Sequence, residues 1–432
     1  MNTLLQDWPD LSQEERLEAF ERVPREQAQK FFLELSSHDQ FDLLMGLSPG
    51  EQRLWLRLLP PDDAADVIQL APDEEKHALV AQLDDVAKRE VNALLAYKED
   101  AAGGLMNPRF ARVRPDMTAD EAISYLRRQS SEIENFYYAY ALDDSQRLLG
   151  VVGFRDLFSA DRSRKVAEMM RTEVISVREN TDQEAVAALF KAHRLLAIPV
   201  LDESGRMQGV ITLDDIVDVL QDEASEDIQK FGGMEALDAP YFKISFPAMV
   251  RKRAGWLSVL FLGEMLTATA MGHFQEEIER AVVLALFVPL IISSGGNSGS
   301  QATTLVIRAM ALGEVRLRDW WRIIIREFST GFALGVVLAV IGLTRIVVWQ
   351  ALWHSYGPHY VLIGLTVAFS LIGVVLFGTI AGSMLPFVLR RAGLDPASAS
   401  APFVATLVDV SGLIIYFTIA RVIMRGLMQA HT

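Results

Sequence analysis

Five long apolar runs dominate the second half of the chain. They cover residues 254–271, 281–312, 328–353, 361–389 and 401–424. Each run is close to or above the ~20 residues that a helix needs to cross a bilayer. The pattern therefore predicts an α-helical membrane domain with five transmembrane helices, embedded in a lipid bilayer, over residues 251–432.

Basic residues are distributed unevenly among the connections of this domain. Arg251, Lys252 and Arg253 precede the first run, and further arginines surround the second and fourth connections, whereas residues 354–360 contain no Lys or Arg. Because cytoplasmic connections carry the excess of Lys and Arg, we expect a multi-pass protein of the cell (inner) membrane whose N-terminal half lies in the cytoplasm. Five spans then place the C-terminus outside. The first ten residues do not have the pattern of a signal peptide.

Two carboxylates lie inside the apolar runs. Asp409 is in the fifth run, and no Lys or Arg lies between Arg391 and Arg421. A charge at the bilayer centre costs ~3 kcal/mol or more, so such a residue usually faces a partner, a cavity or an ion. We expect Asp409 in the wall of a cation path, with a protonated or interhelically paired carboxyl as the alternative. For Glu264, an ion ligand and a hydrogen-bonded structural acid stay equally open.

The second run contains residues that interrupt or loosen helices. Pro289 is followed by a segment of small and polar residues at 293–301, Ser-Ser-Gly-Gly-Asn-Ser-Gly-Ser-Gln. Discontinuous helices often form ion sites in membranes, which makes Gly295, Gly296 and Asn297 candidates for the ion path. A packing face of small residues between helices explains the same composition equally well, and the two explanations are not exclusive.

The first hundred residues have a short repeating pattern. Apolar residues recur at helical spacing, and turn and cap residues such as Ser48-Pro49-Gly50-Glu51 and Pro60-Pro61-Asp62-Asp63 recur about every 12 residues. Ser, Asp and Pro at a helix start satisfy free amides and preset φ. We therefore predict an all-α superhelix of stacked short helices over residues 1–100.

Residues 106–222 contain an internal repeat in which helical and apolar-strand patterns alternate. Met106-Asn107-Pro108 corresponds to Met170-Arg171-Thr172, and Leu149-Gly150-Val151-Val152-Gly153 corresponds to Gln208-Gly209-Val210-Ile211-Thr212. This resembles a tandem pair of CBS domains, with an α/β fold, at 101–163 and 164–228. The resemblance implies that the two copies fold together and regulate by binding nucleotides or metal ions; whether this pair binds ATP stays open.

Charge separates the two halves of the chain. Residues 251–432 carry nine acidic and 14 basic residues, a net charge of +5, so the overall charge of −15 leaves −20 on the first 250 residues. An acidic surface repels nucleic acid and attracts cations, so no nucleic-acid partner is expected. The chain has no cysteine, which excludes disulfides and thiolate metal sites.

An acidic stripe follows the second copy of the repeat. Asp215, Asp218, Asp222 and Glu226 are spaced three and four apart, so a helix would carry them on one face. Like charges on one face destabilise a helix unless a cation binds there. A solvated acidic helix is the alternative.

The whole chain is therefore multidomain: a superhelix, a CBS pair, a connecting helix and five spans. This order resembles the bacterial MgtE family of magnesium channels. The resemblance covers essentially the whole chain and rests on three segments: Gly295-Gly296-Asn297-Ser298-Gly299-Ser300-Gln301, Pro402-Phe403-Val404-Ala405-Thr406 with Asp409-Val410-Ser411-Gly412, and residues 214–228.

The resemblance implies a homodimer with a pore on its two-fold axis, walled by the second and fifth spans. Asp409 of each subunit would then face the other. Two carboxylates can hold Mg²⁺ without removing its water, which suits an ion that dehydrates reluctantly. Selectivity among Mg²⁺, Co²⁺, Ni²⁺ and Mn²⁺ stays open.

The resemblance also implies a gate. A connecting or plug helix is expected at about 232–249, within a segment 229–250, and Mg²⁺ bound among the cytoplasmic domains would close the pore. The implied sensor residues are Asp182, Glu184, Asp215, Asp218, Glu223, Glu226, Asp227 and Asp395. Family members can carry an acidic residue where this chain has His193-Arg194, so we expect one sensor site to differ.

Two other functions compete with a regulated Mg²⁺ channel. One is a proton- or sodium-coupled carrier of divalent cations, in which Asp409 or Glu264 changes protonation. The other is a membrane-anchored nucleotide or metal sensor, against which the second run and Asp409 argue. The sequence contains no P-loop, nucleophile elbow or HExxH motif, so it does not predict an enzyme.

Overall fold

The computed structural model describes residues 8, 11–130, 133, 136–237, 239–280 and 282–424. The chain divides into two compact units, Met1–Glu223 and Ala224–Thr432, and each is described by itself. The first unit contains the predicted superhelix and the CBS pair. The second contains the membrane helices.

Short helices of eight to ten residues build the N-terminal domain, which confirms the predicted superhelix. Capping boxes start two of them, with Ser12 paired to Glu15 and Ser48 paired to Glu51. Phe31 and Phe32 are fully buried where the helices stack. The helices are α1 (Gln13–Glu21), α2 (Arg25–Leu33), α3 (Ser37–Gly46), α4 (Pro49–Leu56), α5 (Pro61–Gln69), α6 (Asp73–Gln82) and α7 (Asp85–Leu94).

The internal repeat folds as two equivalent α/β copies, as predicted. In each copy a short parallel strand pairs with a β-hairpin, giving the sheet orders β1-β2-β3 and β4-β5-β6. The strand register shifts at equivalent positions, after Ala141 and after Val200. The elements are α8 (Ala102–Leu105), β1 (Arg112–Val113), α9 (Ala119–Gln129), β2 (Tyr138–Leu142), β3 (Leu148–Gly153), α10 (Phe154–Ser159), α11 (Val166–Met169), β4 (Val177–Arg178), α12 (Gln183–His193), β5 (Ala197–Leu201) and β6 (Met207–Thr212).

The connecting helix predicted at about 232–249 does not form over the described residues of 232–245, and residues 246–249 belong to the next helix. Helix α13 covers Leu213–Phe231. Helix α13 ends because Gly233 adopts a φ of 76°, a conformation that glycine adopts without steric cost. Its N–H donates to the carbonyl of Lys230. The described residues of 234–245 form turns and irregular segments before the next helix begins at Phe246.

Five helices among the described residues are long and apolar enough to cross a membrane, which confirms the predicted number of spans. The first and third begin earlier than the apolar runs do, because polar and charged residues extend them beyond the apolar stretch. The elements are α14 (Phe246–His273), α15 (Gln275–Arg280), α16 (Val282–Ala285), α17 (Val288–Ala311), α18 (Trp320–Trp353), α19 (Tyr360–Arg391) and α20 (Ala401–Ile423).

The predicted interruption of the second span lies at a different place. Helix α17 is continuous through residues 293–301, and the break falls just before it, at residues 286 and 287. Glycine in this helix permits close packing, because a Cβ at Gly299 would lie 2.9 Å from the carbonyl oxygen of Gly378 on α19. The hydroxyls of Ser298 and Thr379 hydrogen-bond across the same contact at 2.7 Å. Gly299 and Ser298 therefore serve helix packing, which does not exclude a role of the exposed Asn297 in an ion path.

Candidate ion path and acidic faces

The two intramembrane carboxyl groups meet inside the second unit. Helices α14 and α20 approach closely where a Cβ at Gly263 would lie 2.7 Å from Cγ2 of Thr406. Asp409 is three residues after Thr406, on the same helical face. The contact brings the carboxyl groups of Glu264 and Asp409 close enough to interact with each other. Sequence reasoning proposed each carboxylate separately, and the fold places them together.

The residues around this pair come from α17 and α20. A Cβ at Gly296 would lie 3.5 Å from Cα of Ala405, and Asp409 follows Ala405 by one helical turn. Gly295 is buried against Val408, from which its Cβ would lie 2.8 Å away. Asn297 is exposed, and its amide donates to the hydroxyl of Ser293 at 3.5 Å. Gly295 and Gly296 thus pack α17 on the Asp409-bearing helix, while the Asn297 amide stays accessible.

A second acidic group lies inside the first unit, between α5 and α13. Partial burial, together with the charges of Asp215, Asp214 and Asp218, raises the pKa of Asp63 to about 6. The charges of Asp215 and Asp218 act on Asp66 as well, one turn along α5. Sequence reasoning missed Asp63 and Asp66, because only the tertiary fold brings α5 to the acidic helix.

Several predicted sensor residues also have structural partners. Asp215 accepts hydrogen bonds from the backbone N–H and hydroxyl of Thr212, at 2.9 and 2.8 Å, and so caps α13. Asp182 caps α12 by accepting from the N–H of Glu184 at 2.9 Å. Glu223 accepts from the Gln183 amide at 2.7 Å. Asp215 and Asp182 are thus held at helix starts, and Glu223 is held from the middle of α13 against the start of α12.

Other sensor candidates on α13 are more accessible. Asp218 is exposed, and desolvation together with the charge of Asp214 raises its pKa. Asp227 is partly exposed. In the described part of the chain, no three His, Cys, Asp or Glu side chains converge closely enough to hold a metal ion together. The acidic faces are therefore spread surfaces in this conformation.

Asp395 and Glu226 share a partner within the second unit. The Lys230 ammonium donates to Oδ2 of Asp395 at 2.8 Å and also pairs with Glu226, four residues earlier on α13. Asp395 additionally caps the turn Pro396–Ser398 by accepting from the N–H of Ala397. Sequence reasoning selected both carboxylates and missed the lysine, although its spacing from Glu226 is that of a helical ion pair.

Comparison with known families covers most of the chain. Residues 3–100 match a family described as the MgtE intracellular N domain, and residues 102–163 and 166–222 match the CBS domain. Residues 288–419 match MgtE, described as a divalent cation transporter.

Individual relatives match along nearly their whole length. A magnesium transporter MgtE of Thermus thermophilus is 39% identical over 98% of this chain and 93% of its own. One of Bacillus subtilis is 31% identical over 91% of this chain and 85% of its own. A crystal structure of the cytosolic domain of the Mg²⁺ channel MgtE in complex with ATP is 39% identical, covers 50% of this chain and 88% of that one, and has a TM-score of 0.48. By its similarity to the two full-length transporters, the chain belongs to the MgtE family.

Proposed function

We propose that this protein is a Mg²⁺ channel for magnesium uptake, and that intracellular Mg²⁺ closes it by binding to its acidic cytoplasmic faces. The observation that carries the proposal is the meeting of Glu264 and Asp409 inside the membrane helices. Near full-length relatives named magnesium transporters support the choice of ion.

The carboxyl pair supports a cation path because two neighbouring carboxylates inside a membrane are energetically unfavourable unless a cation lies between them. Two carboxylates held together in a membrane repel, and a proton or a metal ion between them removes the repulsion. Mg²⁺ takes carboxylate oxygen ligands and keeps several of its waters, so two carboxylates and the exposed Asn297 amide suit it as a partly hydrated ion. Gly295 and Gly296 hold α17 against the helix that carries Asp409.

A homodimer fits this path. In a two-fold assembly with the pore on its axis, Asp409 of each protomer lines the same channel, and the ion meets a ring of carboxylates. A ring of this kind selects cations by charge and by the size of the hydrated ion. Mg²⁺ is the transported ion, and Co²⁺, Ni²⁺ and Mn²⁺ are the competing divalent cations.

The gate depends on charge repulsion in the cytoplasmic domains. The raised pKa of Asp63 has burial as its first cause and the aspartates of α13 as the others, so these charges are not fully compensated. Divalent cations bridge and screen such faces and favour a closed arrangement. Carboxylates fit Mg²⁺ as donors, with retained waters completing its shell. The sensor residues are Asp63, Asp182, Glu184, Asp215, Asp218, Glu223, Glu226, Asp227 and Asp395.

ATP is a candidate regulator at the CBS pair. A cavity of about 120 Å³ lies between the two copies and is lined by Tyr138, Tyr140, Arg171 and Glu173. The Tyr140 hydroxyl is buried and has no hydrogen-bond partner among the described residues. The aromatic rings and the arginine suit one part of a nucleotide, such as its base, because the cavity is smaller than a whole ATP molecule. Isothermal titration of ATP into the wild type and Arg171→Ala tests this assignment.

The channel and a coupled carrier differ in one measurable respect. A channel passes Mg²⁺ down its electrochemical gradient and gives single-channel currents, whereas a carrier that cycles protons on Glu264 or Asp409 moves protons with the metal. The family description names transport and no catalytic step. A mere membrane anchor for a sensor would not need the carboxyl pair.

Rescue of a magnesium-transport-deficient bacterium tests the proposed function. The wild type should restore growth at low external Mg²⁺, and Asp409→Ala should not, although it reaches the membrane at the same level. Recordings from the purified protein in planar bilayers should show Mg²⁺ currents without a proton gradient. Growth rescue by Asp409→Ala would remove this residue from the ion path, and flux that requires a proton gradient would favour the carrier.

A further inference from the structure

We propose that the Lys230 ammonium is a built-in counterion of Glu226 and Asp395, which competes with Mg²⁺ for these carboxylates and so sets the concentration at which the protein closes. This inference rests on the proposed function, because it assumes that Mg²⁺ closes the protein through its acidic residues. It concerns the regulation of one part of that sensor.

The geometry places one ammonium between two carboxylates from distant parts of the second unit. Glu226 lies on α13, four residues before Lys230, and Asp395 lies 165 residues later, in the connection between α19 and α20. The distance from Nζ of Lys230 to Oδ2 of Asp395 is 2.8 Å. The three side chains are each about one-third exposed, so water and ions reach them.

A cavity opens beside this group. It has a volume of about 350 Å³ and is lined by Glu226, Lys230, Glu235, Trp256 and Ser398, among others. A further carboxylate, that of Glu235, is therefore available on the same wall. A hydrated divalent ion that enters the cavity meets carboxylates whose negative charge the lysine already compensates in part.

The strength of the existing contacts explains why the lysine matters. Partial burial by itself lowers the pKa of Lys230, but the hydrogen bonds from its ammonium to Asp395 and Glu226 raise the pKa above its ordinary value. The ammonium therefore keeps its charge throughout the physiological range. Mg²⁺ can bind these two carboxylates only by replacing the ammonium or by sharing its ligands, and both cost part of the ion-pair energy.

The charge of the lysine has a predictable effect on metal binding. With the ammonium in place, Glu226 and Asp395 are joined without metal, and Mg²⁺ gains little by bridging them. Without it, two carboxylates face each other with no counterion, and a divalent cation relieves their repulsion directly. Removal of the charge should therefore make closure more sensitive to Mg²⁺.

The experiment uses the purified full-length protein and its protection from proteinase K as Mg²⁺ is added. Lys230→Gln and Lys230→Met remove the charge, and the methionine keeps most of the aliphatic stem. Both should lower the Mg²⁺ concentration of half-protection by about threefold to tenfold, the range expected for the loss of two partly exposed ion pairs. Lys230→Arg keeps the charge and should protect at the wild-type concentration.

Two controls separate this effect from others. Arg391→Gln removes one positive charge from an exposed position at the end of α19 and should leave half-protection unchanged, which excludes a general effect of net charge. The double variant Lys230→Gln/Asp395→Asn removes a carboxylate as well, and should reverse the gain in sensitivity.

The outcomes distinguish this proposal from the proposed function. If Mg²⁺ does not protect the wild type at all, the gating proposal fails. If Mg²⁺ protects the wild type but half-protection is unchanged or needs more Mg²⁺ in both Lys230→Gln and Lys230→Met, Lys230 acts as a structural link and the competition proposal is overturned. A shift in Arg391→Gln equal to that in Lys230→Gln would also overturn it.

Discussion

Glu264 on α14 and Asp409 on α20 lie close enough for their carboxyl groups to interact with each other. Each residue lies in a helix that is long and apolar enough to cross a membrane. The sequence places them 145 positions apart, and the small residue Gly263 permits the helix contact that joins them. The pair is the most direct structural reason to assign the ion path to this region.

Loss of the Asp409 charge should abolish transport without disturbing the fold. Asp409→Asn keeps the shape of the side chain and its hydrogen-bonding capacity, so we expect the fold to stay intact and the Mg²⁺ flux to be almost completely lost. Flux into proteoliposomes loaded with a Mg²⁺ indicator measures this. Flux like that of the wild type in the purified variant would remove Asp409 from the ion path.

Glu264 should have a graded effect that reveals whether charge or hydrogen bonding matters. In Glu264→Gln the amide can still donate to Asp409, so we expect a partial loss of flux, of about threefold to tenfold. Glu264→Leu removes both the charge and the hydrogen bond and should cost more. The same proteoliposome assay compares the two variants. Equal and unimpaired flux in both would restrict Glu264 to a structural role.

Two substitutions around the α17–α19 contact should separate transport from packing. Asn297→Leu replaces an exposed amide, and we expect lower flux at unchanged thermal stability. Gly378→Ala would place a Cβ against the carbonyl of Gly295, so overpacking should destabilise the membrane domain by ~1–3 kcal/mol. Thermal unfolding in detergent, beside the flux assay, distinguishes the two effects. Normal flux in Asn297→Leu would mean that this segment only packs.

Much of the architecture could be predicted from local signals. Capping boxes such as Ser12 with Glu15 mark the short helices, and the repeated strand pattern marks the two CBS copies. The helix expected at about 232–249 does not form, because Gly233 ends α13 and turns and irregular segments follow it. The second span was expected to break at its glycines, but those glycines are where α19 approaches α17, and a helix accommodates them when a neighbour packs there.

The sites depend on tertiary contacts that no local pattern reveals. In the sequence, Asp63 is an ordinary acidic residue near the start of α5. Only the fold brings it close to Asp214, Asp215 and Asp218. The spacing of Lys230 from Glu226 indicates an ion pair along one helix. Its contact with Asp395 joins residues that are 165 positions apart, so no local pattern predicts it. The sequence identifies which carboxylates are unusual, and the fold decides which of them meet.

The acidic group around Asp63 should make stability depend on pH. The pKa of Asp63 in the folded state is about 6, above its ordinary value of about 4, so the folded protein binds this proton more tightly than the unfolded chain. Stability from this group is therefore present below pH ~4 and is lost as the pH rises through ~6. Without divalent cations, Asp63→Asn should exceed the wild type in stability at pH 7.5 by ~1–2 kcal/mol, after a discount for solvent screening of this partly exposed group.

The comparison of thermal unfolding at two pH values and two Mg²⁺ concentrations checks this expectation. The difference between Asp63→Asn and the wild type should disappear near pH 4, where the wild-type carboxyl is protonated, and should shrink at pH 7.5 when millimolar Mg²⁺ compensates the charges. If the stability difference between Asp63→Asn and the wild type is the same at both pH values, the charges of α13 do not affect the ionisation of Asp63.

The final prediction concerns closure as a whole. The acidic faces of α13 and its neighbours carry charges that repel when Mg²⁺ is low, so millimolar Mg²⁺ should compact the soluble half and protect it from proteolysis.

Combined replacement of Asp215 and Asp218 by Asn, with Glu223 and Glu226 by Gln, should abolish this protection. The amides can still accept the bonds that Asp215 receives from Thr212 and Glu223 receives from Gln183, so both helices should remain folded. Because binding and closure are coupled reciprocally, the variant should also stay conductive at high internal Mg²⁺, with Asp409 unchanged. Patch recordings beside the protease assay decide the matter: a variant that still closes would show that these carboxylates form only a solvated face.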